Sequence, residues 1–148
     1  MDHAEDEPRL YAAVQHHLAR QYRLLDERDY ERFAETLAER CSLEFAGGPS
    51  LSGRTGILAA LRRTARSDEG SRRRHWLGAP ILRLATDGGV EVEYPTVVSV
   101  LSSDRPIAWE RPNIVRDELE RHGASLRTVA RRVAPDYPAP SEAGSDGA

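Results

Sequence analysis

"LDERDYERFAETLAERCSLEF", residues 25–45, decides the fold, because in one stretch the chain leaves a helix, starts a second and changes to the two-residue period of a strand. Asp29 stands where an N-cap is needed, and Tyr30, Phe33, Ala34 and Leu37 form the apolar stripe of the second helix. "CSLEF" (41–45) then alternates as a short strand. Upstream, from Pro8 onward, Leu10, Val14, Leu18, Tyr22 and Leu25 recur at steps of four, four, four and three, which predicts a helix with one apolar face. Downstream, "AGGPSLSGRTG" (46–56) reads as a loop. "TGILAALRRTAR" (55–66) reads as a third helix, with Ile57, Leu58, Leu61 and Ala65 on one side and arginines on the other.

Beyond Trp76 the period changes for good. "APILRLAT", "GGVEVEYPTVVSVLSS", "RPIAWERPNIVRDELER" and "ASLRTVARRVA" are β-rich and are divided by "DGG", "SSDRP" and "RHGAS", all turn compositions, so four long strands in an antiparallel meander are predicted. There is no βαβ alternation and no internal repeat. The predicted class is α+β, with helices on one face of a curved antiparallel sheet. Residues 1–7 read as a flexible start, 8–137 as one domain, and the Pro/Ser/Gly-rich 138–148 as a disordered tail.

Composition narrows the chemistry. With 148 residues, 39 % apolar and 30 % charged, the core is small or contains a lined cavity. A net charge of −3 gives no reason to expect nucleic acid or an anionic membrane as partner. All 21 basic residues are arginine, which removes lysine general bases, Schiff bases and a P-loop lysine. Cys41 is the sole cysteine, and no stretch approaches the ~20 apolar residues of a spanning helix, so a cytoplasmic protein without disulfide or membrane anchor is expected. His16 and His17 are adjacent and project apart, so no metal site is expected.

"SRRRHWLGAP" (71–80) holds the one histidine that invites a mechanism: His75 is either a chemical centre or the last polar residue of a basic loop. The order of "LDERDYERFAETLAERCSLEF", "SGRTGI", "RHWLG" and "LRTVARRV" resembles the nuclear transport factor 2-like superfamily over about residues 8–137. Nearer likenesses are SnoaL-like polyketide cyclases, scytalone dehydratase and the β subunits of aromatic-ring-hydroxylating dioxygenases. The resemblance implies a cone-shaped α+β barrel with an internal pocket, homodimerisation through the outer sheet face, and catalysis without a cofactor.

On the scytalone dehydratase pattern, "DERDY" and "RHWLG" correspond to an acid–base dyad in which Asp26 orients His75 and His75 moves the proton. Asp26 also lies four residues after Tyr22, at the edge of the first helix's core-facing stripe. The match has gaps. The dehydratase's second histidine falls on Val100, its pocket tyrosines near Leu25 and Phe45, and a ketosteroid-isomerase base near Glu44 or Phe45, which implies a more apolar pocket.

Further candidates are substrate-binding. Tyr22 is placed to donate to a substrate oxygen or to be a core tyrosine, and Tyr94 and Trp109 to wall the pocket. Arg111 and Asn113 share Trp109's strand parity, unless Pro112 breaks it. Glu91 and Glu93 alternate with valines as a solvent or dimer face. The six arginines between 62 and 74 read either as a solvated face or as a contact for phosphate, coenzyme A or an acyl carrier protein. The leading expectation is a cofactor-independent SnoaL-like enzyme cyclising, dehydrating or isomerising a polyketide-like or polycyclic aromatic intermediate. The alternatives are a scaffold subunit of a ring-hydroxylating oxygenase, or a small-molecule binding protein.

Overall fold

A computed structural model describes residues 3–137; the tail expected over 138–148 lies outside the described residues. Helix α1 spans His3–Asp26 and so starts before Pro8, while residues 1–2 of the expected flexible start lie outside the described residues. Asp6 and Glu7 suit the positive end of a helix, and a proline this close to the N-terminus removes only one ladder bond. Val14, Leu18 and Tyr22 of its predicted stripe are buried, with Leu10 and Leu25 at the margins.

Helix α2 is Tyr30–Glu35, with Asp29 as N-cap accepting from the Arg32 amide. It is shorter than predicted, because Leu37 opens strand β1 (Leu37–Phe45). Tertiary pairing wins over helical periodicity here. The Thr36 hydroxyl donates to the Phe33 carbonyl at 2.6 Å, the Thr128 amide donates to the Thr36 carbonyl at 3.0 Å, and Leu37 pairs with Thr128. A short β2 (Ser50–Ser52) leads into α3 (Arg54–Ser67), of which Ile57 is the buried anchor.

The basic stretch is a strand, not a loop: β3 is Ser71–Leu77. Then come β4 (Ile81–Leu84), β5 (Val90–Ser102), β6 (Ala108–Trp109), β7 (Asn113–His122) and β8 (Ser125–Pro135). The four predicted long strands thus become three, β5, β7 and β8, with β4 only four residues long and Ile81 and Leu84 exposed. Strand order is β2-β1-β8-β7-β5-β3, with β4 and β6 also on β5. The sheet is curved and does not close. It is antiparallel except for β1, which runs parallel to β8, a pairing the meander did not predict.

β3 and β4 lie end to end along one edge of β5, interrupted at Gly78–Pro80. Pro95, inside β5, faces that gap. Its missing N–H is needed by no partner there, while its carbonyl accepts from the Gly78 amide at 2.9 Å. A Cβ on Gly78 would lie 2.3 Å from Pro95 Cγ, so the close crossing requires glycine. On the concave face, α1 packs its stripe on Val90, Val92, Tyr94, Val115 and Leu119. Leu24, Phe33, Leu37, Cys41 and Ile57 form a second cluster where α2 and α3 meet β1.

Candidate active site

Asp26 is the last residue of α1, where the helix dipole disfavours a carboxylate, yet its side chain is only 5 % exposed. Donors on β3 compensate. His75 Nδ1 is 2.6 Å from Asp26 Oδ1, and the His75 backbone N–H donates to Oδ2 at 2.9 Å. Arg74 Nε stands 3.8 Å from the same Oδ2. One carboxylate therefore fixes both the ring and the strand that carries it. With Nδ1–H committed to Asp26, Nε2 is the nitrogen left to act on a ligand.

His75 is on the wall of a cavity of about 410 Å³ between the helices and the sheet. Its apolar lining comes from Leu25, Phe33, Ile57 and Leu61 on the helices and from Val98 and Val115 on the sheet. Leu25 and Phe45, the positions where the resemblance puts tyrosines, are both on the lining. A second cavity, about 450 Å³, adjoins the first and is lined by Asp26; the two share Leu25, Leu43, Phe45, Leu61, Arg73 and His75.

Behind the cavity runs a buried polar chain. Tyr22 Oη is 3.0 Å from Tyr94 Oη, and Tyr94 donates to Asp117 Oδ2 at 2.8 Å. Arg131 grips the same carboxylate in a fork, Nε to Oδ1 at 2.8 Å and Nη2 to Oδ2 at 2.7 Å. Nη2 also donates to Gln21 Oε1, whose amide donates to Thr36 at 2.8 Å and Thr128 at 3.0 Å. Thr128 in turn lies 3.1 Å from His17 Nε2.

Electrostatics follow from this chain. Burial works against the Arg131 charge, but Asp117 and the tyrosines outweigh it and hold the guanidinium protonated. Burial pushes the Tyr94 phenol well up and also raises Tyr22. The Cys41 thiol is pushed up to about 11, chiefly by burial, so it rests as a thiol rather than a nucleophile.

The proton positions correct the role foreseen for Tyr22. Because Tyr94 gives its proton to Asp117, the Tyr22 hydroxyl must donate to Tyr94, which leaves Tyr22 lone pairs to accept from a ligand. Tyr94 itself is fully buried behind Tyr22 and off the lining. Trp109 is 60 % exposed and packs against Trp76, ring centroids 6.5 Å apart, away from the cavity. Arg111 is exposed and off the lining as well, whereas Asn113 and Glu110 do line it. The reason is local: β6 is two residues long, and Pro112 interrupts its parity before β7 begins. Glu91 and Glu93 pair with Arg83 and Arg116 on the outer face. Sequence reasoning missed Arg131 and Asp117 altogether.

The SnoaL-like domain family matches residues 6–132. Aln2 from a Streptomyces species is 33 % identical over 87 % of this chain and 92 % of its own, with a TM-score of 0.81. ActVI-ORFA from Streptomyces coelicolor is 28 % identical over 88 % and 98 %, with a TM-score of 0.81. A Catenulispora acidiphila protein solved in complex with S-DNPA is 30 % identical over 87 % and 95 %, with a TM-score of 0.77. Among curated protein sequences none matches significantly. The cone of helices on a curved sheet is the nuclear transport factor 2-like fold, and within it the chain belongs to the SnoaL-like domain family.

Proposed function

We propose that the protein is a cofactor-independent acid–base enzyme that cyclises, dehydrates or isomerises a polyketide-like or polycyclic aromatic intermediate of secondary metabolism. Asp26 and His75 are its working pair. The observation that carries this reading is the 2.6 Å Asp26–His75 contact at the wall of a cavity of about 410 Å³. Imidazole takes and gives protons around neutral pH, and a carboxylate that fixes its tautomer leaves one nitrogen aimed at substrate. The cavity's apolar lining suits flat, ring-containing molecules, and a protein 30 % identical to this chain was solved in complex with S-DNPA. A scaffold subunit would need no such arrangement, since a carboxylate buried at a helix C-terminus is costly unless it serves the group it binds.

Deuterium exchange tests the reading without knowledge of the natural substrate. Polycyclic aromatic ketones such as 2-tetralone, incubated with the protein in D₂O, are followed by NMR for loss of the proton next to the carbonyl. The wild type accelerates exchange, and His75→Ala lowers the catalysed rate by about 10²–10⁴-fold with its circular dichroism unchanged. Equal rates in the two proteins, or no acceleration across the ketone set, would end the proposal.

A further inference from the structure

Arg131 has an unspent donor. Its Nε and Nη2 are committed to Asp117 and Gln21. Nη1 has no hydrogen-bond partner among the described residues, yet no buried side-chain nitrogen or oxygen there is sealed without one. The residue is 6 % exposed and lines the cavity, and an Nη1 that is neither partnered nor sealed is the donor it has left to offer there. Its aim is fixed by the fork to Asp117 and by the Tyr22 ring, whose centroid is 4.8 Å from Cζ. The same ring lies 5.0 Å, centroid to centroid, from His75. Arg131 and His75 thus both lie against one aromatic side chain, and all three line one cavity.

We infer that Arg131 Nη1, with the Asp117 fork behind it, is an oxyanion subsite that holds a carbonyl oxygen of the substrate while His75 works on the carbon beside it. This inference rests on the acid–base reading above and names the substrate class for it: an aromatic ketone with an enolisable C–H beside its carbonyl. Asp117 already balances the guanidinium charge, so the subsite offers an oxygen one polarised N–H rather than a full positive charge. A polarised N–H in an apolar setting gains most from an oxygen that becomes negative during the reaction.

The step balances. The C–H bond next to the carbonyl breaks and its proton goes to His75 Nε2. The C–H electron pair becomes the new C–C π bond, and the carbonyl π pair moves onto oxygen, where Nη1–H meets it. The products are an enolate and an imidazolium held by Asp26. The imidazolium then returns the proton to another carbon, or to a β-hydroxyl that leaves as water.

The probe is 4-nitrophenolate, whose oxygen carries the charge an enolate would, set against uncharged 4-nitroanisole of nearly the same shape. Binding of each is titrated above the phenol's own ionisation range. The wild type prefers the phenolate by about ten- to a hundredfold, the worth of a hydrogen bond to a charged group. The preference collapses in Arg131→Lys, whose compact ammonium satisfies Asp117 but has no second arm for the cavity. It collapses equally in the charge-neutral double variant Arg131→Met/Asp117→Asn, with thermal melting of both variants as the check on folding. It persists in His75→Ala. A preference that survives both Arg131 variants, or that vanishes in His75→Ala, overturns the subsite while leaving the Asp26–His75 reading intact. If neither probe binds the wild type, the cavity is not a ligand site and both proposals fall.

Discussion

Lowering the pH from 7 to 4 should cost this protein about 3 kcal/mol through one side chain, His17, which is far from the dyad. The surroundings favour a neutral His17. Thr128 Oγ1 accepts from the Gln21 amide at 3.0 Å and lies 3.1 Å from His17 Nε2, a contact that a neutral imidazole satisfies without bringing a charge beside Arg131. Burial first, and the neighbouring Arg131 charge second, lower the His17 pKa to about 4 from an ordinary 6.5, with Arg20 and His16 acting the same way and Asp117 opposing. Between those two values the unfolded chain binds a proton that the folded one refuses. Stability is therefore full above 6.5, falls through the window, and is lost below 4. At about 1.4 kcal/mol per tenfold difference in proton affinity, the gap amounts to about 3 kcal/mol, a large share of the 5–15 kcal/mol typical of a domain. Urea unfolding of the wild type and His17→Gln across this range isolates the effect, because carboxylates elsewhere titrate in both and cancel in the difference. The wild type should lose its stability relative to the variant as pH falls. Parallel curves, or a His17 imidazole that titrates near 6.5 by NMR, would refute the assignment.

Two further outcomes follow from packing and charge. Asp117→Ala leaves the Arg131 guanidinium and the Tyr94 hydroxyl buried without their shared partner, and should cost about 3–5 kcal/mol in chemical denaturation; a loss below about 1 kcal/mol would mean that water reaches the pair. Gly78→Ala drives a methyl group to 2.3 Å from a proline ring and should cost about 1–3 kcal/mol, read as a lowered melting temperature. An unchanged melting temperature would show that β3 and β5 separate freely at the Gly78–Pro80 interruption.

The architecture was legible wherever one face of an element is uniformly apolar. The α1 stripe and the β5 alternation gave the helix and the strand directly, since Val14, Leu18 and Tyr22 pack against Val90, Val92 and Tyr94. Legibility failed where tertiary pairing overrides local pattern. Leu37 continues a helical stripe in sequence, yet it is taken by Thr128 of β8. "SRRRH" shows no apolar alternation because β3 is an edge strand, paired only with β5 and exposed at Arg72, Arg73 and Arg74. An edge strand rich in arginine resists further pairing, which is a reason for such a composition to persist in a strand.

The site was half legible, and one bulge explains the other half. Asp26 and His75 were singled out by the resemblance of "DERDY" and "RHWLG" to the scytalone dehydratase pattern, not by local periodicity, and the structure brings the two side chains within 2.6 Å. Arg131 was not. Counting by twos from Leu126 and Thr128, both buried, puts Ala130 and Arg132 inside and Arg131 in solvent. In the structure Leu119 pairs with Thr128 but Glu118 pairs with Ala130, so Val129 is an extra residue in β8. That single insertion reverses the parity, turns Arg132 out toward Glu44, and turns Arg131 inward, directly across from Asp117 on β7. The buried ion pair and the fixed Tyr22 proton descend from it, and so does the Arg131 charge that adds to burial in lowering the His17 pKa, so a local backbone irregularity sets the polar end of the cavity. In "LRTVARRV" nothing in residue type marks where the extra residue falls. The one hint is Asp117, a lone acid between the valine and leucine of "VRDEL" on an otherwise apolar inward face, which needs a cation across the strand and finds its register partner in Arg131.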